Sequence, residues 1–337
     1  MTVDAQVTRD VVEVITGGWR AQALYTAVKL HLPDHIQAGR TTCAELAEST
    51  GAEEEGIRRL MRLLVAMGVF ERDSSHGYRN TAVSAALIDG PQSLREMCLL
   101  HGEEYYDAWR HSHRAISTAS SGFEIAYGQP FYTYLSQDAP TAERFQHALN
   151  AGNMFFPQVP EVIDFSGGRT VVDVGGGGGE LLASILDATP DARGTLFEQE
   201  HMLAGARAHL ADTVGPDRVR FVGGDMFVEV PAGGDFYILC RVLAGWEDDA
   251  VVQVFENCRR AMPGPASRLV VIDRLVTEEG CTVLPAMWDL QLLMINGGRH
   301  RTLDRFSTLL TRAGLTLERV ADLPMENTAL IAAPSRR

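Results

Sequence analysis

The stretch Val171-Val172-Asp173-Val174 runs straight into five consecutive glycines, Gly175 to Gly179, and then into Glu180 and Leu181. An apolar run that ends in bare backbone lets a ligand approach the main chain closely. The dinucleotide fingerprint G-x-G-x-x-G fails here: counted from Gly175 its last glycine falls on Glu180, and counted from Gly176 it falls on Leu181. The chain offers acid instead, with Asp173, Glu198 and Asp225 each closing one of three successive β-rich runs. Carboxylates in those places would repel a pyrophosphate. They can accept hydrogen bonds from ribose hydroxyls, an adenine amino group or an ammonium. Each feature has a plainer reading, since a glycine run can be a turn and an acid after a strand can cap the next helix. Their repetition at successive strand ends favours a ligand.

The elements that must position these residues follow from periodicity. TVVDV (170–174), GTLF (194–197), VRFV (219–222), DFYIL (235–239), RLVVID (268–273), TLERV (316–320) and TALIAA (328–333) alternate with helical stretches. Such alternation predicts a parallel sheet covered on both faces. DFSGGR, at 164–169, is the expected junction between a helical domain over 1–163 and an α/β domain over 164–337. The helical half opens with 11–32, apolar on more than one face and therefore expected as one helix packed on several sides or against a partner subunit. Thr41 or Thr42 can cap the helix of TTCAELAEST; after Gly51, Ile57, Leu60, Met61 and Leu64 fall at i, i+3, i+4, i+7. With the hairpin-like VFERDSSHGYRNT these two helices form a winged-helix pattern.

A winged helix raises DNA binding, and charge argues against it. Residues 41–90 hold five arginines against eight acids, and Glu53, Glu54 and Glu55 open the helix that would enter a groove. The whole chain of 337 residues carries a net charge of −14, which disfavours nucleic acid and anionic lipid as partners. Five scattered cysteines without a C-x-x-C pair suit free thiols in a reducing compartment. The polar start MTVDAQVTRD lacks a signal-peptide core, and no run of about 18 apolar residues occurs, so a cytoplasmic protein is expected. His111 and His113 stand two apart with no third ligand, so they are read as solvent-facing and no metal is expected.

ITGGW, RRLMRLLVA, GYRNT, HGEE, GFEIAYG, DVGGGGGEL, GGDM, GRHRT and DLPME occur in that order along the chain. Through them the sequence resembles the S-adenosylmethionine-dependent small-molecule O-methyltransferases of plants and bacteria, and among these the phenazine-methylating type. The resemblance implies a class I Rossmann-like α/β sheet of seven strands, the last antiparallel, with a helical, winged-helix-containing N-terminal dimerisation domain. It also implies a homodimer, an aromatic substrate held between the domains, and S-adenosyl-L-methionine as cofactor with S-adenosyl-L-homocysteine as product.

Residue by residue, the resemblance sets Gly175 and Gly177 against the methionyl part, near Asp173. It sets Glu198 on the ribose hydroxyls, Asp225 and Met226 at the adenine, and Arg241 near the cofactor, though a surface salt bridge also explains Arg241. The family's catalytic histidine position holds Ala244, within Leu243-Ala244-Gly245-Trp246. One supporting acid is Asp273; the second has become His300, in Gly298-Arg299-His300-Arg301-Thr302. Phe145 and Leu149 with Asn153 and Met154, and Trp288, Leu292 and Asn296 at i, i+4, i+8, are the candidate substrate residues, with plain core as the rival reading. His101 could enter the site or be structural. Since a base is needed only where the nucleophile carries a proton, the alanine leaves three readings open: O-methylation of a hydroxyphenazine, N-methylation of a ring nitrogen, or a relative that binds cofactor without methylating, such as a regulator.

Overall fold

A computed structural model describes residues 4–73, 77–90 and 92–335. In its N-terminal part, Thr42 caps the helix Cys43–Thr50 by a reciprocal capping box with Glu45, and Gly51 ends that helix in the left-handed region. The next helix, Glu54–Ala66, buries Ile57, Met61 and Leu64, while Leu60 is half-buried. An antiparallel pair follows, β1 (Phe70–Arg72) with β2 (Tyr78–Asn80); residues 74–76 of the predicted hairpin lie outside the described residues, as do the first three of the polar N-terminus.

The single helix expected over 11–32 is divided. Helices span Ala5–Ile15 and Gly17–Lys29, and Leu32 opens a third, Leu32–Gln37. The Thr16 hydroxyl donates back to the Val12 carbonyl at 2.8 Å, and the Gly17-Gly18 pair that follows has poor helix propensity. His31 then takes a left-handed φ of 53° and ends the run.

The large sheet comprises β3 (Thr170–Val174), β4 (Arg193–Glu198), β5 (Val219–Gly223), β6 (Phe236–Cys240), β7 (Arg268–Arg274), β8 (Leu315–Leu323) and β9 (Asn327–Pro334). Its order is β5-β4-β3-β6-β7-β9-β8; the first five are parallel, and β9 runs antiparallel to both neighbours. This is the expected class I arrangement. Both faces are buried, which is why β3, β6 and β7 are continuous apolar runs. Val171, Ile238 and Val270 join Leu182 and Ile185 on one face, whereas Val172, Leu239 and Leu269 join Phe255 and Phe306 on the other. Strand order reverses between β3 and β6, the place where open α/β sheets receive ligands beyond their C-terminal ends.

The chain forms two compact units. One takes in the chain up to Ser112 with Ile125–Gly152; the other takes in His113–Glu124 and the chain from Asn153 onward. The Ser121 hydroxyl fastens its segment to the second unit by donating to the Ile295 carbonyl at 2.8 Å. No helix among the described residues is long and apolar enough to cross a membrane. All five cysteines are free.

Candidate active site

Beyond β3 the chain turns through Gly175, Gly177 and Gly179, all at left-handed φ, and enters the helix Glu180–Ala188. Gly176 cannot carry a side chain, because a Cβ there would stand 2.5 Å from Asp173 Oδ2 and 2.5 Å from Leu196 Cδ1. Asp173 is wholly buried, and neither of its oxygens has a hydrogen-bond partner among the described residues. Burial, reinforced by the Glu198 and Glu180 carboxylates, pushes it up to about 7. A buried, unpartnered carboxylate beneath bare backbone is costly unless a cationic or hydrogen-bonding group arrives.

Glu198, at the end of β4, accepts from the Gly177 N–H at 3.0 Å and from the Gln199 N–H at 2.7 Å. A carboxylate has about four acceptor positions, so both oxygens can still receive hydroxyls. Asp225 follows β5, is exposed, and accepts from the Phe227 N–H at 2.9 Å. The half-buried Met226 beside it is held through its carbonyl, which accepts from Asn257 at 2.7 Å. The three acids therefore stand at the C-terminal ends of three adjacent strands.

After β6, Arg241 takes a left-handed φ of 55°, a conformation costing a residue with a Cβ about 1–3 kcal/mol. Its main-chain N–H donates to Ile272 at 2.8 Å. The guanidinium makes no salt bridge among the described residues, contrary to the surface-pair reading. It donates to Asn153 Oδ1 and lies 5.4 Å and 5.7 Å from the ring centres of Phe155 and Phe156. Asn153 is thus brought to Arg241, while Met154 is exposed.

Ala244 is buried, and its carbonyl accepts from the Arg299 N–H at 2.8 Å. That carbonyl occupies the space of any Cβ on residue 298, at 2.5 Å, so glycine is required there. Asn296 closes the same corner by accepting from the Gly298 N–H at 2.9 Å. Asp273 and His300 are both buried, with His300 Nδ1 3.4 Å from Asp273 Oδ1 and not aligned as a hydrogen bond. Asp273 Oδ1 instead accepts from the Arg274 N–H at 2.8 Å, and the His300 N–H donates to Asp289 at 2.6 Å. Trp288, Leu292 and Asn296 share the helix Val283–Asn296. Phe145 and Leu149 lie on the helix Ala139–Ala151 of the first unit, where Phe145 packs edge-on to Phe131 at 5.0 Å. His101, also there, is half-buried and donates from Nδ1 to the Met97 carbonyl at 2.8 Å, and desolvation pushes its pKa down. His111 and His113 are exposed, and no group that could hold a metal occurs among the described residues.

Sequence reasoning passed over Arg301, which is buried and binds the loop around Ala244. It donates to Leu243 O at 3.1 Å and to Trp246 O, and it pairs with Asp248 at 2.8 Å. Burial opposes the charge of Asp248, yet hydrogen bonds from Arg301 and Arg305 hold its carboxyl below the ordinary range. The signal lay in the same five-residue motif as His300, next to the residue that drew attention.

A family model described as the O-methyltransferase domain matches residues 109–316, and one for the O-methyltransferase dimerisation domain matches 12–90. The phenazine-1-carboxylate N-methyltransferase of Pseudomonas aeruginosa is 41% identical over 96% of this chain and 97% of its own length. The phenazine O-methyltransferase PhzM of Lysobacter antibioticus is 39% identical, over 91% of each chain. The solved structure of the pyocyanin biosynthetic protein PhzM superimposes with a TM-score of 0.90 at 40% identity, covering 98% of this chain and all of the other.

Proposed function

We propose that this chain, which belongs to the O-methyltransferase family, methylates a ring hydroxyl of a phenazine-type aromatic. Its class, S-adenosylmethionine-dependent methyltransferase, goes with that membership; the acceptor and the residue roles are our reading. The observation that carries the cofactor-dependent part of this reading is the buried Asp173, without a hydrogen-bond partner among the described residues, beneath the glycine turn at the point where strand order reverses. These residues fit the cofactor, because a carboxylate without partners suits an ammonium and Glu198 retains acceptor positions for a pair of hydroxyls. Gly175 and Gly177 admit the methionyl portion, Asp225 and Met226 take the adenine edge and face, and Arg241 borders the site. When bound, S-adenosylmethionine supplies a methyl group on a sulfonium sulfur. Relatives acting on phenazines support the acceptor class.

What the chain itself contributes is positioning. Arg301 fixes the loop that carries Ala244, and Asn296 with Gly298 closes that corner. Holding reactants at near-attack distance can supply about 7–11 kcal/mol of a displacement barrier. Ala244 removes no proton, so the hydroxyl must be acidic enough to reach the site ionised. His300 orients it from the buried side by donating a ring N–H, with the Asp273 carboxylate behind the imidazole. Trp288, Leu292 and Asn296, together with Phe145, Leu149, Asn153 and Met154, are the proposed substrate residues, and the working species is a homodimer. No nucleic acid, membrane or metal is part of this reading.

Ala244 also favours a second reading, N-methylation, because a ring nitrogen with a free lone pair needs no base. Mass spectrometry of products from hydroxyphenazines and from carboxyphenazines lacking a hydroxyl separates the two. Methyl ethers from the first set support the proposal. Ring N-methyl products from the second set, with no methyl ether from the first, overturn it in favour of the alternative.

A further inference from the structure

We propose that Arg274 receives a carboxylate carried by the aromatic acceptor, which makes aromatic acids the substrate class of this site. The inference rests on the reading that a flat aromatic is methylated here, and it adds the substituent. Arg274 is the last residue of β7, directly after Asp273, and its guanidinium carbon lies 4.8 Å from the ring centre of Trp288. A cation over an indole face leaves its outer N–H groups directed at whatever stacks alongside. Its Nε donates to Met325 O at 3.3 Å; its two terminal nitrogens make no hydrogen bond and no ion pair among the described residues. Asp273 takes only the main-chain N–H of Arg274.

The electrostatics sharpen the point. Burial, and then the neighbouring Arg241 guanidinium, push Arg274 below the ordinary arginine range, with Asp273 and Glu326 acting against that only at a distance. A guanidinium stays charged in a protein, so two like charges stand near one another, one largely buried and neither paired with an acid among the described residues. A planar carboxylate matches the free fork of Arg274 and offsets the repulsion. The cofactor's own carboxylate is the other source of that chemistry. Position argues for the acceptor: β7 lies two strands from β3 and its glycine turn, about 10 Å at ordinary strand spacing, whereas Arg241 lies one strand away. Trp288, stacked on Arg274, is itself a platform for a flat ring.

The test is calorimetry of the full-length protein with acridine-4-carboxylate and acridine-4-carboxamide, which share a ring and differ in charge. Wild type should prefer the acid by about tenfold to a hundredfold, the range for a charge-assisted pair. R274Q should bring that ratio close to one, R274K should keep part of it, and S-adenosylhomocysteine affinity should not change in R274Q. Equal binding of acid and amide by wild type overturns the proposal, as does a ratio that R274Q leaves intact. A parallel loss of S-adenosylhomocysteine affinity also overturns it, assigning the arginine to the cofactor. Should R274Q fail to fold, the wild-type ratio and R274K decide. Turnover of hydroxyphenazines is scored separately: binding selectivity without turnover contradicts the methylation reading alone, and turnover without selectivity contradicts this inference alone.

Discussion

At the scale of single residues, the chemistry turns on Ala244 and on the buried pair Asp273–His300. A methyl side chain removes no proton, and His300 Nδ1 lies 3.4 Å from Asp273 without hydrogen-bond alignment. If His300 orients the acceptor, His300→Ala lowers kcat less than tenfold on an acidic phenol and the pH–rate profile keeps following the phenol's own ionisation. A general base would cost about 10²-fold or more, and its removal would erase a limb of the profile. Changing the acceptor for one with a less acidic hydroxyl should move the profile by the difference in the two hydroxyls. Glu198→Ala removes acceptors for hydroxyl donors, so S-adenosylhomocysteine affinity should fall about tenfold to a hundredfold. Calorimetry reads this directly, and unchanged affinity would place the ribose elsewhere.

Among the elements, the loop 243–246 and the helix Ala5–Ile15 carry separate demands. Arg301 holds two carbonyls of that loop while anchored on Asp248. Arg301→Met should lower stability by about 1.5–3 kcal/mol for the lost charged hydrogen bonds, seen as a shifted denaturation midpoint, and should reduce turnover more than cofactor affinity. The helix Ala5–Ile15 buries none of its residues within the chain, and Val14 (82%), Ile15 (70%) and the nearby Trp19 (70%) are widely exposed. Side chains of this size each contribute about 1.5–3 kcal/mol when buried. Light scattering should therefore give twice 36.8 kDa, and Val14→Asp with Ile15→Asp should give monomer; a wild-type monomer at micromolar concentration contradicts the homodimer. The seven strands were legible in sequence because runs such as TVVDV and RLVVID are buried on both faces and bounded by polar turns. The break at Thr16 was not, because 11–32 is apolar on both sides of it and a hydroxyl bonded back to Val12 leaves no mark in hydrophobic period.

Over the whole molecule, the reversal point of the sheet gathers acids from three strand ends, and that much could be read from Asp173, Glu198 and Asp225 with the glycine turn. What sequence could not give was depth: that Asp173 is wholly enclosed while Asp225 is exposed, or that Arg274 lies against Trp288. Depth has a consequence for pH. The Asp173 carboxyl is raised to about 7 by burial and by Glu198 and Glu180, so in the free protein its contribution to stability is fully present below the unfolded carboxyl's value of about 4. That contribution is lost as pH rises through 7. Binding of an ammonium runs the other way, since it requires the carboxylate and releases its proton. The most direct test is therefore titration calorimetry with S-adenosylhomocysteine between pH 5 and pH 8. Wild type should bind more tightly as pH rises, by up to about tenfold per unit until 7 and little beyond, with proton release that Asp173→Asn abolishes together with most of the pH dependence. No binding, or binding that neither pH nor Asp173→Asn alters, contradicts the assignment of this site to the cofactor.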